Sequence, residues 1–269
     1  MSYEAIRYEI ADGIGTITLN RPQKFNAITN QVLRELRQAL ESAGSDEGVR
    51  CLILTGAGSA FCAGQDLNEI QLQPSAGAST IQDSASIEEH LHKYYHPVIL
   101  GMRSLEKPVI AAVNGVAAGA GCSLALAADL RIAADNASFI QAFTRIGLIP
   151  DSGSTYFLPR LIGLAHSLAM IFTGDAISAQ DALQMGLVNR VVPSGELMEV
   201  TRQLALRLAQ GPTRAIGLAK RAVNVALNTD LQTALNTEAR LQAEAAATRD
   251  AAEGIAAFLE KRKARFQGR

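Results

Sequence analysis

Two short apolar runs, Cys51–Thr55 and Val109–Val113, constrain this chain more than any other feature. Neither is long enough for a buried helix, so each reads as a strand covered on both faces. Glycine follows at once, in Gly56-Ala57-Gly58 after the first run and in Asn114-Gly115 after the second. Helical patterning surrounds them. Val32, Leu33, Leu36, Ala39 and Leu40 share one face of a helix over Gln31–Ala43, a second helix is expected from Ser86 to Leu105, and Gly119–Ala127 reads as a helix of small residues. Leu130–Ala134 supplies a third strand. Strand alternating with helix predicts an α/β fold.

The flanks differ in character. Ile6–Ile10 and Ile14–Leu19, joined by Ala11-Asp12-Gly13, read as a hairpin. Pro74–Thr80 is rich in Gly, Ser and Ala and reads as a mobile stretch or an insertion. Beyond Ser194 the pattern turns helical, with helices expected over Glu196–Gln210, Thr213–Leu227, Leu231–Ala247 and Asp250–Arg265. The chain therefore divides into residues 1–194 and a helical region, 195–269. The basic run Lys261–Arg265 suits the negative end of the last helix dipole.

Composition narrows the function classes. The chain has 269 residues, 48% of them hydrophobic, enough for one sizeable core. A net charge of −1 gives no reason to expect a nucleic acid or an acidic membrane as partner. The N-terminus, MSYEAIRYEI, alternates and carries charge, unlike a signal peptide, and no unbroken run of about 18 apolar residues predicts a membrane span. Three widely spaced cysteines, Cys51, Cys62 and Cys122, read as reduced thiols and suggest a cytoplasmic protein. His92 and His96 have the i,i+4 spacing of a helical metal site, but no third ligand or H-E-x-x-H accompanies them, so no metal is expected.

The chemistry lies in two loops: Phe61-Cys62-Ala63-Gly64-Gln65-Asp66-Leu67 and Asn114-Gly115-Val116-Ala117-Ala118-Gly119-Ala120-Gly121-Cys122. Each is read as following a buried strand and opening a helix. Small residues let backbone approach a ligand, and free N–H groups at a helix start can point at an anion. One N–H from each loop, both aimed at one carbonyl oxygen, would make an oxyanion hole. The same residues could equally serve tight helix packing. A dinucleotide site is the competing ligand reading, but G-x-G-x-x-G is absent.

Phe61–Leu67 and Asn114–Cys122 resemble the paired signatures of the crotonase, or enoyl-CoA hydratase/isomerase, superfamily. Leu19-Asn20-Arg21-Pro22 with Asn26-Ala27, Gly147-Leu148-Ile149-Pro150, and Phe172-Thr173-Gly174-Asp175 with Ser178-Ala179 continue the resemblance along nearly the whole chain. The resemblance implies a ββα spiral core over 1–194 and a helical oligomerisation region over 195–269, assembled as a homotrimer or a dimer of trimers. It implies an acyl-CoA substrate, with coenzyme A as part of the substrate and no separate cofactor. The thioester oxygen would lie between the N–H groups of Gln65 and Ala120. Lys24 would meet the CoA phosphates, and Ala63, Gln65, Asp66 and Leu67 would lie along the CoA channel. Asp66 also reads as a residue that orders its own loop. Tyr94, Tyr95 and Phe143 could shape the acyl pocket or simply be core.

The hydratases of this superfamily flank the substrate with two glutamates. Ser123 and Phe143 stand at the matching positions here, so the usual water-activating pair is missing. What remains is Asp151, in Gly147-Leu148-Ile149-Pro150-Asp151-Ser152-Gly153. Locally, an Asp after Pro and before Ser-Gly-Ser-Thr is a good helix N-cap. The resemblance instead implies a catalytic carboxylate, since some isomerases of the superfamily carry one there. The stretch from Phe143 to Arg160, with both loops, most resembles the branch that isomerises 1,2-epoxyphenylacetyl-CoA in phenylacetate breakdown. The expectation is an acyl-CoA isomerase, with a hydratase or a non-catalytic acyl-CoA-binding protein as alternatives.

Overall fold

The structure, a computed structural model, describes residues 3–69, 72–75, 78–81 and 84–269. The N-terminal hairpin forms as expected: β1 (Ile6–Ala11) pairs antiparallel with β2 (Ile14–Leu19). Helix α1 (Asn30–Ser45) follows, capped by Thr29, whose side chain accepts the Val32 N–H. The apolar run becomes β3 (Cys51–Gly56), buried at every residue, and β4 (Ala60–Cys62) leaves it through a tight turn.

The stretch around Pro74 holds a small antiparallel pair, β5 (Leu72–Ser75) with β6 (Ala78–Ile81), a pairing not expected from its composition. Residues 76 and 77 of that stretch lie outside the described residues. The single helix expected from Ser86 to Leu105 is α2 (Ser84–His90) and α3 (His96–Ser104), joined by a π-helical turn over Leu91–Tyr95. Such turns recur at functional positions.

Then come β7 (Val109–Val113), β8 (Val116–Ala118), α4 (Ala120–Ala127), β9 (Leu130–Ala134) and β10 (Ser138–Ile140). The next elements are α5 (Ser154–Thr173), β11 (Ile177–Ser178), α6 (Ala179–Met185) and β12 (Arg190–Val192). Strands fall alternately into two sheets. A six-stranded sheet runs β1-β2-β3-β7-β9-β12, and a four-stranded sheet runs β11-β10-β8-β4. β3, β7 and β9 lie in the first and their immediate successors β4, β8 and β10 in the second, so each turn of chain climbs one step through both sheets. This is the expected spiral α/β core.

Helix α5 is long and apolar enough to cross a membrane by length and composition alone, although it contains no unbroken apolar run of that length. It bends at Gly163 (φ 72°) and contains Pro159. Phe157, Leu158, Ile162 and Met170 bury one face of it in the core.

The C-terminal region is α7 (Leu197–Ala209), α8 (Thr213–Ala226), α9 (Leu231–Ala246) and α10 (Arg249–Leu259). Helix α7 joins the core through Leu197, Ala205 and Ala209. Gly217 lets α8 approach closely, since a β-carbon there would lie 2.2 Å from the Glu106 carbonyl oxygen. The last helix stops six residues short of the expected Arg265. Lys261 turns to φ 56°, and Arg262 pairs with Glu253 at 2.7 Å. The chain then folds back, so that the Gln267 and Gly268 N–H groups donate to the Asp250 carboxylate at 2.6 and 2.7 Å. Ion pairing and this return contact replace the helical tail.

Candidate active site

The two glycine-rich stretches meet. A β-carbon on Gly121 would lie 2.3 Å from the Cys62 carbonyl oxygen, so only glycine lets α4 start against β4. Gly64 has φ 95°, and a β-carbon on it would fall 2.9 Å from the Ala118 oxygen and 3.6 Å from the Ala120 nitrogen. The Ala120 amide therefore sits beside Gly64, next to Gln65. Ala120 is the first residue of α4, so its N–H has no acceptor within the helix.

Gln65 is held as a bridge to Ile28: the Ile28 N–H donates to the Gly64 oxygen at 2.7 Å, and the Asp66 N–H donates to the Ile28 oxygen at 2.8 Å. In this parallel pattern the N–H of Gln65 itself turns away from Ile28. Two details differ from the sequence reading. Phe61 and Cys62 belong to β4, and Leu67–Glu69 forms one 3-10 turn in place of a helix. Within the second stretch, Val116–Ala118 is strand β8, because it pairs in parallel with β10.

Asp66 is buried and engaged inside its own loop. Its carboxylate accepts from the Arg21 guanidinium at 2.9 Å and from Asn68 Nδ2 at 2.8 Å. The Arg21 hydrogen bond leads in holding it below the usual carboxylate range. Ala63 and Leu67 are exposed along the same rim. Lys24, also exposed, ends a 3-10 turn over Pro22–Lys24, and the next residue, Phe25, accepts the Ala63 N–H at 2.9 Å.

Asp151 does not cap α5. The N-cap is Gly153, with φ 86° and no side-chain cap, because the chain turns sharply through Ser152 (φ 52°) before the helix starts. Among the described residues, the Asp151 carboxylate accepts from Ser152 Oγ alone, at 2.9 Å. Burial pushes its pKa up, and the Ser152 hydrogen bond only partly opposes this.

Its main chain is gripped from below. Ser123 Oγ lies 3.1 Å from the Asp151 carbonyl oxygen and 2.7 Å from Ser154 Oγ, and Gln141 Nε2 donates to Ser154 Oγ at 3.0 Å. Ser123, Ser154 and Gln141 are fully buried. Nothing in the local sequence points to this network, because Ser123 and Gln141 lie 31 and 13 residues from Ser154. Phe143 lies over the other loop: a β-carbon on Gly119 would touch its ring at 3.9 Å.

Tyr95 ties the halves together. Its hydroxyl donates to Gln65 Oε1, and its phenol feels the charge of Asp151. A cavity of about 780 Å³ adjoins the Asp151 turn, with Ser152, Gly153, Phe157, Ile99 and His96 in its wall. The three thiols are buried, and burial pushes each up to about 12, which leaves no reactive thiolate. His92 and His96 meet with their Nδ1 atoms 3.2 Å apart. No cluster of three possible metal ligands exists among the described residues.

A spiral of paired strands that sets the Ala120 amide beside Gly64, with Ser123 of the same helix 3.1 Å from the carbonyl oxygen of a half-buried Asp151, defines a class of fold and site. The family model for enoyl-CoA hydratase/isomerase matches residues 9–269. A "Probable enoyl-CoA hydratase" of Rhodobacter capsulatus is 44% identical over 269 residues, covering 100% of both chains. The 1,2-epoxyphenylacetyl-CoA isomerase of Escherichia coli is 41% identical over 266 residues, covering 99% of both. Among solved structures, the enoyl-CoA hydratase of Bacillus anthracis superposes with a TM-score of 0.90 at 36% identity, covering 99% of this chain and 100% of that one. The chain belongs to the enoyl-CoA hydratase/isomerase family, the crotonase-fold enzymes of CoA thioesters.

Proposed function

We propose that this protein is an acyl-CoA isomerase whose proton carrier is Asp151. The observation that carries this reading is the asymmetry of carboxylates around the loops. Asp66 is consumed by Arg21, and Glu69 accepts the Asn30 N–H at 3.0 Å. Burial raises Asp151, whereas the Arg21 hydrogen bond leads in lowering Asp66. A raised carboxylate suits a group that must both take and return a proton near neutral pH.

For a 3-enoyl thioester the steps balance with one carboxylate. Asp151 takes the proton from C2, and the electron pair moves onto the thioester oxygen as a dienolate. The N–H groups of Gln65 and Ala120 hold that oxygen. The protonated Asp151 then returns the proton to C4, leaving the double bond between C2 and C3. In ring expansion of 1,2-epoxyphenylacetyl-CoA, the other reaction within this reading, the same amides would polarise the thioester. Lys24 would meet the CoA phosphates, with Ala63, Gln65, Asp66 and Leu67 along the channel. The proposal extends to a homotrimer or a dimer of trimers in the cytoplasm, and the apolar groups exposed on α10, Ile255, Phe258 and Leu259, support such an assembly.

Hydration is the second reading, favoured by the names of relatives such as the Rhodobacter protein. Against it stand Ser123, bonded into a buried network, and Phe143, which has no proton to give. The test is Asp151→Asn. Turnover of a 3-enoyl-CoA is expected to fall by about 10²–10⁴-fold while the thioester still binds. Undiminished turnover would exclude the role. Binding in calorimetry without turnover of any thioester by the wild type would leave a pure acyl-CoA binder.

A further inference from the structure

Tyr95 is buried, 5% exposed, in the π-helical turn between α2 and α3. A buried tyrosine usually finds a partner for its hydroxyl. Here that partner is neither main chain nor a neighbour in sequence. It is Gln65 Oε1, 30 residues away, on the loop that also carries one of the two proposed oxyanion amides. The His90 ring stands edge-on to the Tyr95 ring at 5.7 Å, and His90 Nε2 meets Asn30 Oδ1 at 2.5 Å, so the phenol has little room to swing.

On the other side of the loop, Ile28 holds the Gln65 backbone through Gly64 and Asp66. The Gln65 side chain is the handle left over, and Tyr95 grips it. Burial, with the charge of Asp151, raises the phenol far above its usual range. It therefore remains an O–H donor throughout the pH range in which Asp151 works.

We propose that Tyr95 is a positioning residue: by donating to Gln65 Oε1 it fixes the orientation of the Gln65 amide relative to the Asp151 carboxylate. The inference rests on the reading of Gln65 as an oxyanion donor.

The experiment uses the full chain with Tyr95→Phe, which removes only the hydroxyl. Misplacing a reacting group by about 1 Å can cost roughly 10²-fold in rate, so kcat is expected to fall by about 10–100-fold with KM changed less than about threefold. Gln65→Leu is expected to match it, and the double variant to be no slower than either single one, since both break the same contact.

A second readout needs no turnover. Bound 4-dimethylaminocinnamoyl-CoA should show a red-shifted absorbance in the wild type, from polarisation of its carbonyl. Most of that shift should vanish in Tyr95→Phe although the probe still binds. Multiplicative losses in the double variant, or an unchanged shift in Tyr95→Phe, would overturn the inference. If Asp151→Asn were fully active, the functional reading itself would fail. If Asp151→Asn were dead and Tyr95→Phe normal, only this inference would fail.

Discussion

The two sides of the site are built from different materials. The proposed amide side, Gly64–Gln65 and Gly119–Gly121, would use backbone N–H groups, among small residues except for Gln65, whose side chain Tyr95 holds. The proposed carboxylate side, Ser123, Phe143 and Asp151, would use side chains whose identity would decide the chemistry. A backbone device depends on the course of the main chain more than on side-chain identity. A side-chain device can be exchanged residue by residue on the same frame. The match over residues 9–269 and the fold assign the family, and the reaction has to be argued from the side chains of the site.

Breaking the amide side should cost both turnover and stability. Gly64→Ala would place a β-carbon 2.9 Å from the Ala118 oxygen at φ 95°. Turnover is expected to fall by about 10²–10³-fold, as for loss of one oxyanion donor. The strain is expected to cost about 1–3 kcal/mol, measurable by urea denaturation. An active Gly64→Ala enzyme would mean that the loops need not meet so closely.

The carboxylate side should respond in the opposite sense in stability. Burial raises the Asp151 pKa above its unfolded value. The folded state thus holds its proton over a pH window in which the unfolded state has lost it, and stability falls as pH rises through that window. Asp151→Asn escapes the cost of a buried charge. It should melt above the wild type at neutral pH, and the difference should vanish below the ordinary carboxylate range. A variant that melts lower at pH 7 would show that the carboxylate stabilises the fold.

The smallest effect is expected at the rim. Lys24 is exposed, so Lys24→Ala should raise KM about threefold, roughly 0.6 kcal/mol, and leave kcat alone. The change should shrink with added salt, which screens exposed charges. A fall in kcat would place this lysine closer to the chemistry.

The amide side was also the more legible one in sequence. β3 and β7 announce themselves because burial on both faces makes them wholly apolar, and the glycines after them are demanded by close backbone approach. β8 was read as loop because Val116-Ala117-Ala118 carries no alternating pattern, and pairing with β10 makes it a strand. Helix α5 was not delimited, since Pro159 and Gly163 interrupt its periodicity. From local sequence alone Asp151 reads as a helix cap, but the turn through Ser152 and Gly153 gives that place to Gly153. The Tyr95–Gln65 contact spans 30 residues and starts from a π-turn that leaves no periodic trace. Local physics reached as far as strands, turns and caps, and the long-range polar contacts had to come from the fold.

The central claim is that one raised carboxylate opposite two backbone amides makes an isomerase. The direct measurement gives the wild-type enzyme a 3-enoyl-CoA and crotonyl-CoA in parallel and follows each product. The account predicts double-bond isomerisation at about 1–10³ per second, the usual enzyme range, with hydration of crotonyl-CoA at least about a hundredfold slower. Hydration within that range, with isomerisation lagging, would contradict it.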